Sequence, residues 1–401
     1  MPSYATVKAY DSNDVGAPVL SGSVGAGISV LDAVLLTGYN IKAVQSIAIA
    51  AGVVTLTYAS AHGYTVDQVL ALSNANTTAL NDEFRVVSVP SPTTLTFTAP
   101  TGVTSESSTT LSTKVAPLNW NKSFSGTNLA CYVSNDPTST KGVLMVDDAN
   151  AQYLNVKMVE VATSVSSGFG GNYTNAGAWP AYYNWRKSFQ TNATASAWRV
   201  FGDGKTFYLL VAWQWQSYAG TYEMYMFGDF QSYLQADPFN CMLQGNIVIP
   251  PTVPSYPNQN GYAEGVLAGN NGGWVLSTGA CIMRNAFALP GGAPVSRATV
   301  GLVGAQGSES GYCTGNTLPN ITGNLQLLDV YLQEQIGILR GRQRGTLFLP
   351  SWAADVILDN AVMDLLAGSA IKRVKFAKGG GGGNTANAST PRYAFDLYGP
   401  W

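Results

Sequence analysis

The run Thr206–Ala212, within FGDGKTFYLLVAWQW, constrains the fold more than any other feature of this 401-residue chain. Read as a strand, it sends Phe207, Leu209 and Val211 to one side and Tyr208, Leu210 and Ala212 to the other. Both sides are apolar, so the strand belongs inside a structure with both faces covered. Trp213 and Trp215 continue one side, and the preceding Asp203-Gly204 pair is a hairpin signal. The surrounding residues 116–235 are rich in aromatics: Trp120, Phe124, Tyr132, Trp179, Tyr182, Tyr183, Trp185, Phe189, Trp198, then YEMYMFGDF. They are read as the main antiparallel sheet and main core.

The rest of the chain is cut by Gly, Pro, Asn and Ser into short runs. The fold class expected is therefore mainly β, in antiparallel sheets arranged as a sandwich or barrel, with few short helices. Residues 1–42 make an N-terminal arm and one short buried helix. Its apolar positions Ile28, Leu31, Val34 and Leu35 are helically spaced, and Gly38 stands as C-cap. Residues 43–115, with VVTLTYAS, QVLALSN, FRVVSV and TLTFTA, form an inserted small all-β module. Residues 116–378 form the main aromatic-rich domain, 379–390 a flexible Gly-rich segment, and 391–401 a C-terminal strand. That strand (Tyr393, Phe395, Leu397, Trp401) docks on its own sheet or a neighbour's. WAADVILDNAVMDLLAG is read as a helix.

Composition narrows the function. Charged residues are 11%, against about 25% in an average soluble protein. A chain so poor in charge covers its surface with neutral polar groups or gives much of that surface to neighbours. With a net charge of −2, nothing attracts nucleic acid, which needs clustered Lys and Arg. The basic residues that do cluster, Arg340, Arg342 and Arg344, are candidates for inter-subunit pairing; Lys372, Arg373, Lys375 and Lys378 follow them. The scattered Cys131, Cys241, Cys281 and Cys313 and the single His62 do not make a zinc pattern. No cofactor is expected. No run reaches the roughly 20 apolar residues of a membrane helix. The opening MPSYATVKAYDSNDVG lacks the basic and apolar regions of a secretory signal, so synthesis in a cytoplasm is expected.

Reactive constellations are sparse. His62 reads as a turn histidine. Asp147 and Asp148 are adjacent, so on a strand they diverge and make a solvated turn or inter-strand hydrogen bonds. Asp203, Asp229 and Asp237, among aromatic rings, are the best case for sugar cleavage, but they stand in turn contexts. Lys378 precedes its glycines, the reverse of a phosphate-binding loop. No catalytic or metal-binding residue is assigned, and the expectation is a protein that is not an enzyme. Trp213, Trp215, Tyr222 and Tyr225 are candidates for an interface or a glycan contact and equally for the core, and Trp198, Phe207 and Tyr208 for the core.

Several segments resemble a family of uncharacterised structural proteins of tailed bacteriophages and prophages. They are GAPVLSGSVGAGISVLDAVLLTGY, LNWNKSFSGTNLACY, LMVDDANAQYLNVKMVEVATSVSSG, YYNWRKSF, AWRVFGDGKTFYLLV, MFGDF, IGILRGRQRGTLFLP and FDLYGPW. Residues 43–115 look like an insertion into that pattern and resemble small β modules of phage tail-associated proteins. The sequence departs from the pattern at Arg344-Gly345, where a Leu-Pro-Gly turn is expected. The resemblance implies a virion component of tail, baseplate or neck, whose partners are copies of itself and other virion proteins. Glycan binding at the host surface and decoration of the capsid surface are the alternatives.

Overall fold

The computed structural model describes residues 6–170, 182–212, 222–248, 267–270, 273–284, 296–301, 328–334, 339–349, 358–367, 370–378 and 392–401. The fold is mainly β, built from antiparallel sheets with one short α-helix among the described residues.

Asp203-Gly204 does turn a hairpin. Trp198–Gly202 pairs with Thr206–Ala212, which pairs in turn with Tyr222–Asp229. All seven residues of Thr206–Ala212 are buried. On one side, Trp198, Val200, Phe207, Leu209, Val211, Tyr225 and Phe227 share a core with Tyr132, Leu144, Val146, Val156 and Trp185 of a six-stranded sheet. On the other side, Phe201, Tyr208, Leu210, Met224 and Met226 meet Tyr393, Phe395 and Leu397. The hairpin region is therefore a middle layer, as its two apolar faces require.

The largest sheet supplies both the middle layer and the outer one that faces it. It starts at Lys8–Asp11, runs through the central hairpins, and ends with Leu339–Leu349, Arg392–Asp396, Ala370–Lys378 and Val362–Ala367. Its two ends fold over each other, so that the Phe201 and Phe395 rings stack with centroids 4.1 Å apart. The C-terminal strand docks in its own sheet, between Leu339–Leu349 and Ala370–Lys378.

The inserted module is two four-stranded sheets that meet where Phe84 stacks on Phe97 at 4.4 Å. Its entry strand Tyr39–Ala43 and exit strand Ser112–Val115 pair antiparallel, with Thr113 opposite Lys42. Adjacent ends are what an insertion into a finished fold needs. The first pairing begins at Tyr39, slightly before the expected boundary.

The N-terminal helix is Ala26–Asp32, continued by a π-helical turn Ala33–Thr37. Val30, Leu31, Val34 and Leu35 are buried. Gly38 stops it at φ 70, where a β-carbon would fall 2.1 Å from the Val115 carbonyl oxygen.

The N-terminal arm carries a strand, Lys8–Asp11, paired with Trp198–Gly202. One expectation is corrected. The helix expected near 356–365 is the strand Val362–Ala367, paired with Ala370–Lys378. There Ala361, Met363 and Leu365 pack inward while Val362 and Asp364 are exposed, so the period is two. Where the sequence departs from the family pattern, Arg344-Gly345 lies within the strand Leu339–Leu349, with Gly345 at φ 65. The Gly-rich segment 379–390 lies outside the described residues.

Candidate functional site

Two places gather polar side chains in the interior. The first is the seam between the inserted module and the main body. Arg85, on the module strand Glu83–Arg85, donates to the Val7 carbonyl at 2.8 Å and the Leu397 carbonyl at 2.7 Å. It thus clasps both terminal strands of the described chain, and its guanidinium lies 5.1 Å from the Tyr398 ring. Arg373 pairs with the module's Asp67 at 2.9 Å. Lys8 pairs with Glu83 at 2.7 Å, and Asn119 Nδ2 donates to the same carboxylate oxygen at 2.8 Å. Beside the seam, Arg199 donates to Asp11 at 2.8 Å and holds both oxygens of Asp359, at 2.8 and 2.9 Å.

The second place is a cleft of about 800 Å³ bordered by Thr138–Thr140, Lys205, Asp229, Arg342, Arg344 and Trp401. Asp203 sits beside it at the hairpin tip. One of its oxygens accepts the N–H groups of Lys205 (2.8 Å) and Thr206 (2.9 Å), and the other pairs with Arg344 at 3.0 Å. Arg344 also donates to Thr206 Oγ1 at 3.1 Å and to the Trp401 main-chain oxygen. Asp229 accepts from the Thr140 N–H and hydroxyl. Burial pushes its carboxyl up to about 6, against the pull of those hydrogen bonds. Burial also raises the Asp203 carboxyl, with Arg344 opposing.

These geometries revise the site expectations. Arg340 is buried and holds both oxygens of Asp237 at 2.8 Å, Arg342 reaches Asp329 at 3.0 Å, and Arg344 pairs with Asp203. All three arginines are therefore engaged within the chain, and the Arg342 side chain also keeps 37% of its surface exposed. Asp203 and Asp237 likewise pair with arginine, while Asp229, which accepts from Thr140, has its carboxyl raised by burial to about 6. Tyr222 and Tyr225 are core residues, 6% and 0% exposed. Neither offers its ring to a glycan or a partner. Trp213 and Trp215 lie outside the described residues. Trp198, Phe207 and Tyr208 are buried as expected.

In the C-terminal strand, Tyr393, Phe395 and Leu397 are buried, and Trp401 packs edge-on against Tyr208 at 5.7 Å. His62 lies in a loop but is buried against Tyr58 and Tyr64, its Nδ1 accepting the Tyr64 N–H at 2.9 Å. Asp148 is no solvated turn residue: fully buried, it pairs with Lys187 and accepts the Ile28 N–H at 3.0 Å at the helix start. Its partner sits 39 residues away, so adjacency to Asp147 carried no information about it.

Sequence reasoning missed the seam altogether. Lys8, Asp67, Glu83, Arg85 and Arg199 are ordinary charges in sequence, and only the fold brings them together. Their one legible trait is scarcity, since a charge-poor chain has few charged residues to leave idle. Among the described residues no group of three or more His, Cys, Asp or Glu side chains could hold a metal ion, and no helix is long and apolar enough to cross a membrane.

Neither protein-family models nor curated proteins give a match to this chain.

Proposed function

We propose that this chain is a structural subunit of a tailed-bacteriophage particle, at the tail, baseplate or neck. It acts through protein–protein contacts and not through catalysis. The observation that carries the reading is the clasp at Arg85. One module side chain fastens the carbonyls of Val7 and Leu397, so module, first strand and last strand form one body. With Arg199, Arg340, Arg344 and Arg373 engaged in ion pairs across long sequence distances, the scarce charges serve internal fastening. That arrangement suits a part that holds its shape among neighbours. The phage-like segments from GAPVLSG to FDLYGPW support the same reading.

The outer surface agrees with it. Val362–Ala367 ends the large sheet among the described residues, and Leu358 and Ile371 beside it are 77% and 66% exposed. An apolar sheet edge is a place where another protein chain adds on. In the particle, this subunit buries more than about 2,000 Å² against copies of itself and other virion proteins.

Cryo-electron microscopy of intact particles from the source phage tests the reading. Density for this chain in symmetric rings, or tethered to tail or neck proteins, is expected. Its absence from every purified particle, or a purified chain that stays monomeric at high concentration without a partner, overturns it.

The cleft motivates a second reading, host-glycan binding, because it combines a Trp401 indole with Asp229, Asn240 and Arg342. A glycan array probed with the purified chain decides it. Binding that falls on Trp401→Ala but not on Trp213→Ala or Trp215→Ala places the sugar in the cleft, and silence on the array removes the reading.

A further inference from the structure

Glu83 stands between two nitrogens at the seam. Its Oε1 accepts from Lys8 Nζ at 2.7 Å and from Asn119 Nδ2 at 2.8 Å, so those nitrogens lie within about 5.5 Å of each other. Lys8 Nζ also donates to the Pro117 carbonyl, two residues before Asn119, which holds the amine against the segment carrying the carboxamide. The Lys8 and Glu83 side chains are 2% and 6% exposed. Glu83 Oε2 is buried and has no hydrogen-bond partner.

A plain ion pair accounts for part of this. It leaves Oε2 desolvated and unsatisfied, which is unfavourable for a buried oxygen. It also gives no role to Asn119, whose φ of 61 asks only for a residue tolerant of the left-handed region. A carboxyl group that takes up a proton and hands it on uses both oxygens and both neighbours.

We infer that Lys8, Glu83 and Asn119 are an intramolecular isopeptide site, in which the Lys8 amine displaces the side-chain nitrogen of Asn119 while Glu83 carries the proton. The neutral Lys8 amine attacks Asn119 Cγ, forming the Nζ–Cγ bond. One amine proton passes through Glu83 to Nδ2, the Cγ–Nδ2 bond breaks, and ammonia leaves. No oxidant, metal or other co-reactant enters. Burial pulls the Lys8 amine below its ordinary value, although Glu83 opposes the shift, and so favours the nucleophilic form. Holding the three groups together in one place supplies the proximity that an otherwise slow amide exchange needs, and the buried site keeps competing water away. The product ties Lys8–Asp11 covalently to the point where the chain leaves the inserted module. This site does not depend on the particle reading.

Peptide mapping of the purified, folded full-length chain tests it. Trypsin should fail to cut after Lys8, and the peptide running from the N-terminus to Lys42 should be joined to Val115–Lys122, lighter by one ammonia, about 17 Da. The branched peptide should disappear in Glu83→Ala and in Lys8→Arg, the latter keeping a positive charge at the site. Normal cleavage after Lys8 in the wild-type chain, with Val115–Lys122 recovered free at its unmodified mass, overturns the inference even if neither variant folds.

Discussion

The indole of Trp401 occupies the space into which a side chain at position 345 would grow. A β-carbon on Gly345 would lie 1.9 Å from Trp401 Cε2, and the residue already sits at φ 65. The sheet can thus admit the C-terminal tryptophan against Tyr208 only because position 345 has no side chain.

Gly345→Ala should therefore be costly in two ways, through backbone strain and through expulsion of the indole. A loss of about 2–4 kcal/mol is expected, read as a lower urea midpoint. The clash term should vanish when the indole is absent. In a double-mutant cycle, Gly345→Ala with Trp401→Ala should cost less than the two single changes added together. Strict additivity would show that the two residues do not share this space.

Arg85→Ala removes a clasp that touches both terminal strands at once. Val7 and Leu397 each lose a charge-assisted hydrogen bond to their carbonyls, for a total of about 2–4 kcal/mol. Hydrogen exchange should speed up together in Lys8–Asp11 and Arg392–Asp396, although the two strands lie at opposite ends of the sequence. Faster exchange confined to the module would show that the clasp does not join them. Deletion of the module with Asn40 joined to Asn119 should likewise weaken the main body, because Glu83, Arg85 and Asp67 leave with it.

What was legible beforehand follows from how local the signal is. Thr206–Ala212 announced a middle layer, because seven consecutive residues fix both faces of one strand. Gly38 announced a helix stop, and Asp203-Gly204 a turn, through single-residue conformational preference. Val362–Ala367 was misread because its apolar residues satisfy both a helical and an alternating pattern, and pairing with Ala370–Lys378 decided between them. The seam was invisible. The partners Lys8 and Glu83 lie 75 residues apart, and Asp67 and Arg373 306 apart, and no local pattern marks a charge that will be paired across such distances. By sequence Tyr225 fits core and interface equally, because an aromatic residue in a strand suits either. Its 0% exposure follows from the sheet that covers it.

Asp148 joins the helix start to the six-stranded sheet through a fully buried pair with Lys187. Asp148→Ala leaves the Lys187 ammonium buried without its counter-charge and removes the acceptor for the Ile28 N–H. A loss of about 3–5 kcal/mol is expected in urea unfolding. Asp148→Ala with Lys187→Met should recover much of it, since the stranded charge is then gone. If the double variant is no better than Asp148→Ala alone, the capping contact carries the effect and the ion pair does not.

The cleft carboxyl Asp229 makes the fold sensitive to mildly acidic pH. Burial raises its folded value from 3.8 to about 6, so between those limits the native state binds more protons than the unfolded chain. Stability then falls as pH rises from about 4 to about 6, and stays lower above that by about 3 kcal/mol. Asp14, Asp148 and Asp203, also raised by burial, act in the same direction, while Glu106, lowered to about 2 by hydrogen bonds from Thr77 and its neighbours in spite of burial, acts the opposite way at lower pH. Asp229→Asn isolates the cleft group, because the other carboxyls are common to both proteins. Asparagine stays neutral and can still accept from Thr140, so the variant should match the wild type near pH 4 and exceed its stability progressively from pH 4 to 6. Urea unfolding of both proteins at pH 4, 5, 6 and 7 reads that difference. Parallel curves across the range would mean that Asp229 is already ionised at pH 4 and that the cleft admits enough water to solvate it.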